Sequence, residues 1–104
     1  MLCALTVRQL KPGTYDQFAA AFGPSTMKAP PEGWRRFTML RDRSDPDRVV
    51  TFGHFDGTFE ELEANQREHG YAEMRAAGDQ FVDAVVVNGV FDVVEELEAA
   101  AQPH

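Results

Sequence analysis

Residues 34–55 read WRRFTMLRDRSDPDRVVTFGHF, and this stretch decides the fold. Its two ends, Trp34 to Arg41 and Val49 to Phe55, are rich in aromatic and β-branched side chains, while Ser44-Asp45-Pro46-Asp47 lies between them. Branched and aromatic side chains fit a pleated surface and Pro and Asp favour a tight reversal, so the stretch predicts an antiparallel hairpin. One side of its first strand carries Trp34 and Leu40 and the other Phe37 and Met39; in the second strand Val49 and Phe55 oppose Val50 and Phe52. A sheet covered by helices on one face should alternate between apolar and polar. Here both faces are apolar, and an uncovered second face would exceed the patch of about a few hundred Å² usual on soluble monomers. A homodimer paired through the open sheet face is therefore expected.

On the N-terminal side, Leu2, Cys3, Ala4, Leu5 and Val7 form a short apolar run that ends at Pro12-Gly13 and predicts a first strand. Tyr15, Phe18, Ala19 and Phe22 then recur at helical spacing. Thr14 and Gln17 have the spacing of a capping box, and Gly23-Pro24 stops the helix. Three prolines, Pro24, Pro30 and Pro31, make the segment up to Gly33 a surface connection.

On the C-terminal side, Thr58 and Glu61 again have capping-box spacing, with Phe59 and Leu62 opening an apolar helical face. Gly70 interrupts that helix, and a second piece runs from Tyr71 to about Val82 through Met74, Ala77, Gly78 and Phe81. Val85-Val86-Val87, Asn88-Gly89 and Val90-Phe91 are strongly β, with Asn88-Gly89 either a hairpin turn or a bulge in one long strand. The Ala- and Glu-rich tail from Glu95 reads as frayed helix or disorder. The order β-α-β-β-α-β is the split βαβ pattern of a ferredoxin-like α+β subunit. One domain over 1–96 and a frayed tail over 97–104 are expected.

Composition narrows the function classes. At 104 residues the chain suits one domain, which buries about two-thirds of the surface its unfolded chain exposes. A net charge of −7 repels phosphate polymers and anionic membrane surfaces, so neither nucleic acid nor membrane is an expected partner. Arg35, Arg36, Arg41, Arg43 and Arg48 crowd together, but Asp42, Asp45 and Asp47 sit among them, which favours a solvated strand edge and turn over an anion site. A lone cysteine, Cys3, makes no internal disulfide and reads as a small buried hydrophobe. With no signal peptide or apolar span recognised, a cytoplasmic location is the expectation.

Several stretches together resemble the antibiotic-biosynthesis-monooxygenase group of dimeric α/β-barrel proteins: Lys11-Pro12-Gly13 before the Tyr15/Phe18/Phe22 helix, Gly33-Trp34 leading into the hairpin, and Val50-Thr51-Phe52-Gly53-His54-Phe55 leading into Thr58-Phe59-Glu60-Glu61-Leu62. The resemblance covers roughly Leu2 to Glu96 and implies a dimeric barrel enclosing a cavity. The group includes cofactor-free oxygenases of aromatic polyketides and haem-degrading enzymes. The haem-degrading pattern is not met, because the first strand offers Thr6, Arg8 and Gln9 where an Asn is wanted and no Trp follows Trp34.

At about 100° per residue, Phe59, Leu62, Gln66 and His69 share one arc of the second helix, with Asn65 on its shoulder. Polar groups so placed either bond to neighbouring backbone or line a cavity. His69 titrates near neutrality and is the candidate general base; Asn65, one turn earlier, is the candidate orienting or oxyanion-polarising amide. Gln66, Trp34, Phe52, His54 and Tyr71 are candidate substrate-binding residues, with the aromatics, Tyr15 among them, able to wall a flat ligand or to be plain core. No metal spacing, catalytic triad, phosphate loop or dinucleotide motif occurs, so no cofactor is expected. Three functions remain open: a cofactor-independent monooxygenase, or related cyclase or isomerase, on a small aromatic or polyketide-like substrate; a dimeric module binding a small hydrophobic ligand; and a structural homodimer with a filled barrel.

Overall fold

The computed structural model describes residues 1–24 and 31–99, so most of the proline-rich connection and the end of the tail lie outside the described residues. The elements are β1 (Leu2–Leu10), α1 (Tyr15–Phe22), β2 (Trp34–Arg41), β3 (Arg48–Phe55), α2 (Phe59–Glu68), α3 (Tyr71–Asp79) and β4 (Val82–Asp92). The four strands form one antiparallel sheet in the order β2-β3-β1-β4, with the helices on one face. This is the ferredoxin-like arrangement expected from the sequence, its second helix divided in two.

Strand register assigns the faces, since residues alternate between them. Ala4, Thr6, Arg8 and Leu10 of β1 pair across β3 and β4 in line with Thr51, Gly53, Val49 and Asn88, and this face meets the helices. Cys3, Leu5, Val50, Phe52 and His54 therefore occupy the other, open face. The helix side holds two separate apolar clusters. Leu10, Phe18 and Val49 form one at the α1 end; Trp34, Phe55 and Leu62 form the other beneath α2.

The division of helical segments follows from local chemistry. Thr58 accepts the Glu61 amide at 3.1 Å and the Glu61 carboxylate accepts the Thr58 amide at 3.0 Å, closing the capping box at the start of α2. Gly70 adopts φ 67°, a left-handed conformation that costs a Cβ-bearing residue, and this turns the chain between α2 and α3.

Several expectations are corrected. Two residues of β2, Arg35 and Arg36, fit where the partner strand advances by one, from Phe55 to His54. That irregularity moves Trp34 to the helix side with Phe37, leaving Leu40 on the open face. Thr14 makes no cap: its hydroxyl donates instead to the Lys11 carbonyl at 2.7 Å. The last helix ends at Asp79, and Phe81 and Val82 already belong to the turn and strand that follow. Asn88-Gly89 is neither hairpin nor bulge. Both residues pair with β1, opposite Thr6 and Leu5, and two register shifts fall earlier, at the steps that leave Val86 and Asp83 unmatched. Cys3 is half-buried, because its face carries no cover within the chain, and burial pushes its thiol up from the ordinary value.

The arginine-rich hairpin is a solvated edge. Arg35 pairs with Asp56 at 2.8 Å, Arg41 lies 3.9 Å above the Tyr15 ring, and Asp42 accepts the Ser44 and Asp45 amides of the turn. Residues 93–99 have no regular structure, and no helix among the described residues is long and apolar enough to cross a membrane.

Candidate functional site

Between the two apolar clusters the helices stand away from the sheet and leave a cavity of about 650 Å³. It lies inside one chain, on the helix side of the sheet. The sequence predicts a cavity enclosed where two sheets pair; the present cavity is a separate one within the chain, lined from α2, α3 and the sheet. Asn65, Gln66 and His69 line it from α2, Tyr71, Met74 and Arg75 from α3, and Phe22 from α1. Ala4, Thr6, Thr51, Gly53, Phe37 and Asn88 line it from the sheet. A volume within about 300–1,000 Å³, mostly apolar walls and a few converging polar groups are the usual properties of a small-molecule site.

Asn65 is held by two hydrogen bonds. Its carbonyl accepts Trp34 Nε1–H at 2.8 Å and its amide donates to the Glu32 carbonyl at 3.1 Å, which ties α2 to the start of β2. Its second amide N–H has no partner among the described residues. Trp34 stacks at 4.8 Å on Phe37 and meets Phe55 edge-on at 5.1 Å. Gly53 permits this, because a Cβ there would approach Trp34 Cζ3 to 2.8 Å. Trp34 and Tyr71 both line the cavity, as does Phe52 of β3.

His69 caps α2, its amide donating to the Asn65 carbonyl at 3.0 Å, and its ring is exposed at the cavity mouth. His54 is not among the lining residues; it lies on the open face with its ring 5.7 Å from that of Phe52. Tyr15 is also elsewhere, packed against the Leu10 cluster under Arg41.

A polar layer on the sheet was not singled out from the sequence. Thr6 donates to Asn88 Oδ1 at 3.1 Å, and Arg8 Nη1 donates to Thr51 Oγ1 at 2.7 Å. Arg8 is only 1% exposed, lies 4.6 Å from the Phe22 ring centre and 5.5 Å from that of Phe18, and its Nε has no partner. Desolvation lowers its ionisation from the ordinary arginine value. The signal was its parity: Arg8 alternates with Thr6 and Leu10, on the side of the strand that the helices cover.

No family model matches the sequence, and a search of curated proteins finds no match. Solved structures do match. A candidate antibiotic biosynthesis monooxygenase from Chloroflexus aurantiacus superposes with a TM-score of 0.71 at 19% identity, covering 93% of this chain and 96% of that one. A second, from Nitrosomonas europaea, gives 0.70 at 17% identity over 91% and 100%. SnoaB, a cofactor-independent oxygenase from Streptomyces nogalater, gives 0.66 at 15% identity over 94% and 97%. Over nearly its whole length the chain thus has the ferredoxin-like fold of the antibiotic-biosynthesis-monooxygenase proteins.

Proposed function

We propose that the chain is a homodimeric, cofactor-independent monooxygenase that oxidises an electron-rich aromatic substrate in the cavity between helices and sheet. The observation that carries this reading is the cavity itself. About 650 Å³ walled by Trp34, Phe37 and Tyr71 accommodates a planar ring system, and Asn65, Gln66 and His69 present their polar groups to one side of it.

In such a reaction His69 takes a proton from an acidic C–H or O–H of the substrate, and the resulting anion gives an electron to dioxygen. Radical recombination forms a C–O bond and a peroxide; return of the proton and loss of water convert a ring CH₂ into C=O. One O₂ is consumed and one water released. The remaining Asn65 N–H serves as the donor to the developing oxyanion, and apolar walls keep the anion dry.

The dimer rests on the open face, where Leu40 is 49%, Val87 40% and Phe91 47% exposed beside half-buried Leu5, Val50 and Phe52. A second reading, a non-catalytic dimeric module that binds a small molecule, is favoured by the exposure of His69, whose ring no described residue orients by a hydrogen bond.

Oxygen uptake across a panel of anthrones and dihydroxyaromatics, with chelator present, tests the proposal. His69→Ala is expected to lower kcat by about 10²–10⁴. Full turnover by His69→Ala, or activity that needs added metal or flavin, refutes it and leaves the binding module.

A further inference from the structure

The floor of the cavity has a consistent polarity. Thr51 accepts from Arg8, so its own hydroxyl hydrogen is directed elsewhere, and Thr51 lines the cavity. Asn88 accepts from Thr6 through Oδ1, which leaves its amide N–H groups for the cavity it also lines. Arg75 lines the same space; its one ionic partner among the described residues, Asp79, stands 3.8 Å away, beyond hydrogen-bonding range. Donors therefore face the cavity from three sides.

Behind them lies a buried charge with no ion-pair partner among the described residues. Arg8 is buried against Phe18, Phe22 and Thr51, with Tyr71 and Asp79 acting on it from α3, yet no carboxylate among the described residues comes within ion-pair distance of it. Neutral partners satisfy hydrogen-bond directions without neutralising charge, and a buried cation without a counter-ion is costly unless something supplies one. In a chain with net charge −7, a buried unpaired arginine beside a ligand-sized cavity is the reverse of the overall charge pattern.

We infer that the sheet floor and α3 together form an anion subsite, with Thr51, Asn88 and Arg75 as its donors and Arg8 behind Thr51, that binds the carboxylate of an acidic aromatic ligand. This rests on the reading of the cavity as a ligand site. Arg8 is a positioning residue: it polarises the Thr51 hydroxyl and supplies the positive field, and it does not touch the ligand. The carboxylate then fixes one end of the ring system, leaving the other toward His69 at the mouth.

Calorimetric titration of the full chain with anthracene-2-carboxylate and with the isosteric neutral anthracene-2-carboxamide tests this without turnover. The carboxylate is expected to bind at least about tenfold more tightly than the amide, the difference one charge-assisted hydrogen bond makes. Arg8→Met should reduce that preference through loss of carboxylate affinity, Arg8→Lys should retain more of it, and Tm should not fall in Arg8→Met. Thr51→Val, a change suited to a strand, provides an independent variant and should reduce the preference about tenfold. Equal affinity for the two probes, or an unchanged preference in Arg8→Met or in Thr51→Val, overturns the subsite and leaves the cavity as a binding site. Binding of neither probe overturns both.

Discussion

Replacing Asn65 with Ala removes both hydrogen bonds that join α2 to the start of β2. The larger loss is at Trp34, a residue 9% exposed whose indole N–H loses its acceptor at 2.8 Å. Leaving a buried donor unsatisfied costs about 1–3 kcal/mol; because Asn65 is half-buried and water can partly replace it, the lower part of that range, about 1–2 kcal/mol, applies. Glu32 is exposed, so its carbonyl is resolvated at little cost. For a domain near 100 residues each kcal/mol shifts Tm by about 4–8 °C, giving an expected fall of about 5–15 °C. Trp34 is the sole tryptophan, so fluorescence reports on its surroundings alone: emission should move to the red in Asn65→Ala. Asn65→Asp keeps the acceptor for Trp34 and loses only the donor to Glu32, and its emission should stay near that of the parent. A change in stability within about 0.5 kcal/mol together with unchanged emission in Asn65→Ala would refute the reasoning. If Asn65 also serves as oxyanion donor, its removal lowers kcat by about 10²–10³, a loss that Asn65→Asp should share although its Trp34 remains in place.

Phe52→Asp puts a carboxylate on the open face and should convert a dimer of about twice 11.6 kDa into a folded monomer, as read by light scattering behind a sizing column. Phe37→Asp, whose ring packs on Trp34, should instead unfold the chain; a folded monomer from Phe37→Asp, or an intact dimer from Phe52→Asp, contradicts the face assignment. Gly70→Ala forces a Cβ into φ 67° and should lower stability by about 1–2 kcal/mol, seen as a lower urea midpoint at unchanged slope; no change in midpoint would show that the α2–α3 corner relaxes freely.

The hairpin at 34–55, the capping box at Thr58 and Glu61 and the break at Gly70 were legible because each is fixed by local chemistry: period, a side chain in reach of an amide, and a backbone conformation suited to glycine. What sequence could not convey is register. One extra residue near Arg35 reverses the face of Trp34, and the step at Val86 does the same in β4, while nothing in the residue types at either place announces it. The helical arc of Gln66 and His69 was readable as geometry, whereas the sheet residues that share their cavity are set by tertiary packing. Arg8 went unused because a charged side chain on a strand is read as solvent-facing; only its parity with Leu10 pointed inward. Thr14 shows the opposite error, where the correct spacing for a cap was present but the hydroxyl found the Lys11 carbonyl instead.

The arrangement links stability to the site. A tightly packed domain of this size would join the Leu10–Phe18–Val49 and Trp34–Phe55–Leu62 clusters into one core; here a cavity and the polar layer of Thr6, Arg8, Thr51 and Asn88 keep them apart. Both features destabilise the single chain, through lost packing contacts and an unneutralised buried charge. The apolar open face offers the compensating term. Burial of Leu5, Val50, Phe52, Val87 and Phe91 against a second copy removes from water the surface that the divided core cannot use. In the proposed homodimer, the second copy would sustain the cavity without contributing a residue to it. Val50→Asp, on the open face but not part of the cavity lining, should therefore weaken ligand binding as well as assembly. Retention of full affinity by a folded Val50→Asp monomer would separate the two faces of the sheet and show that one chain alone supports the cavity.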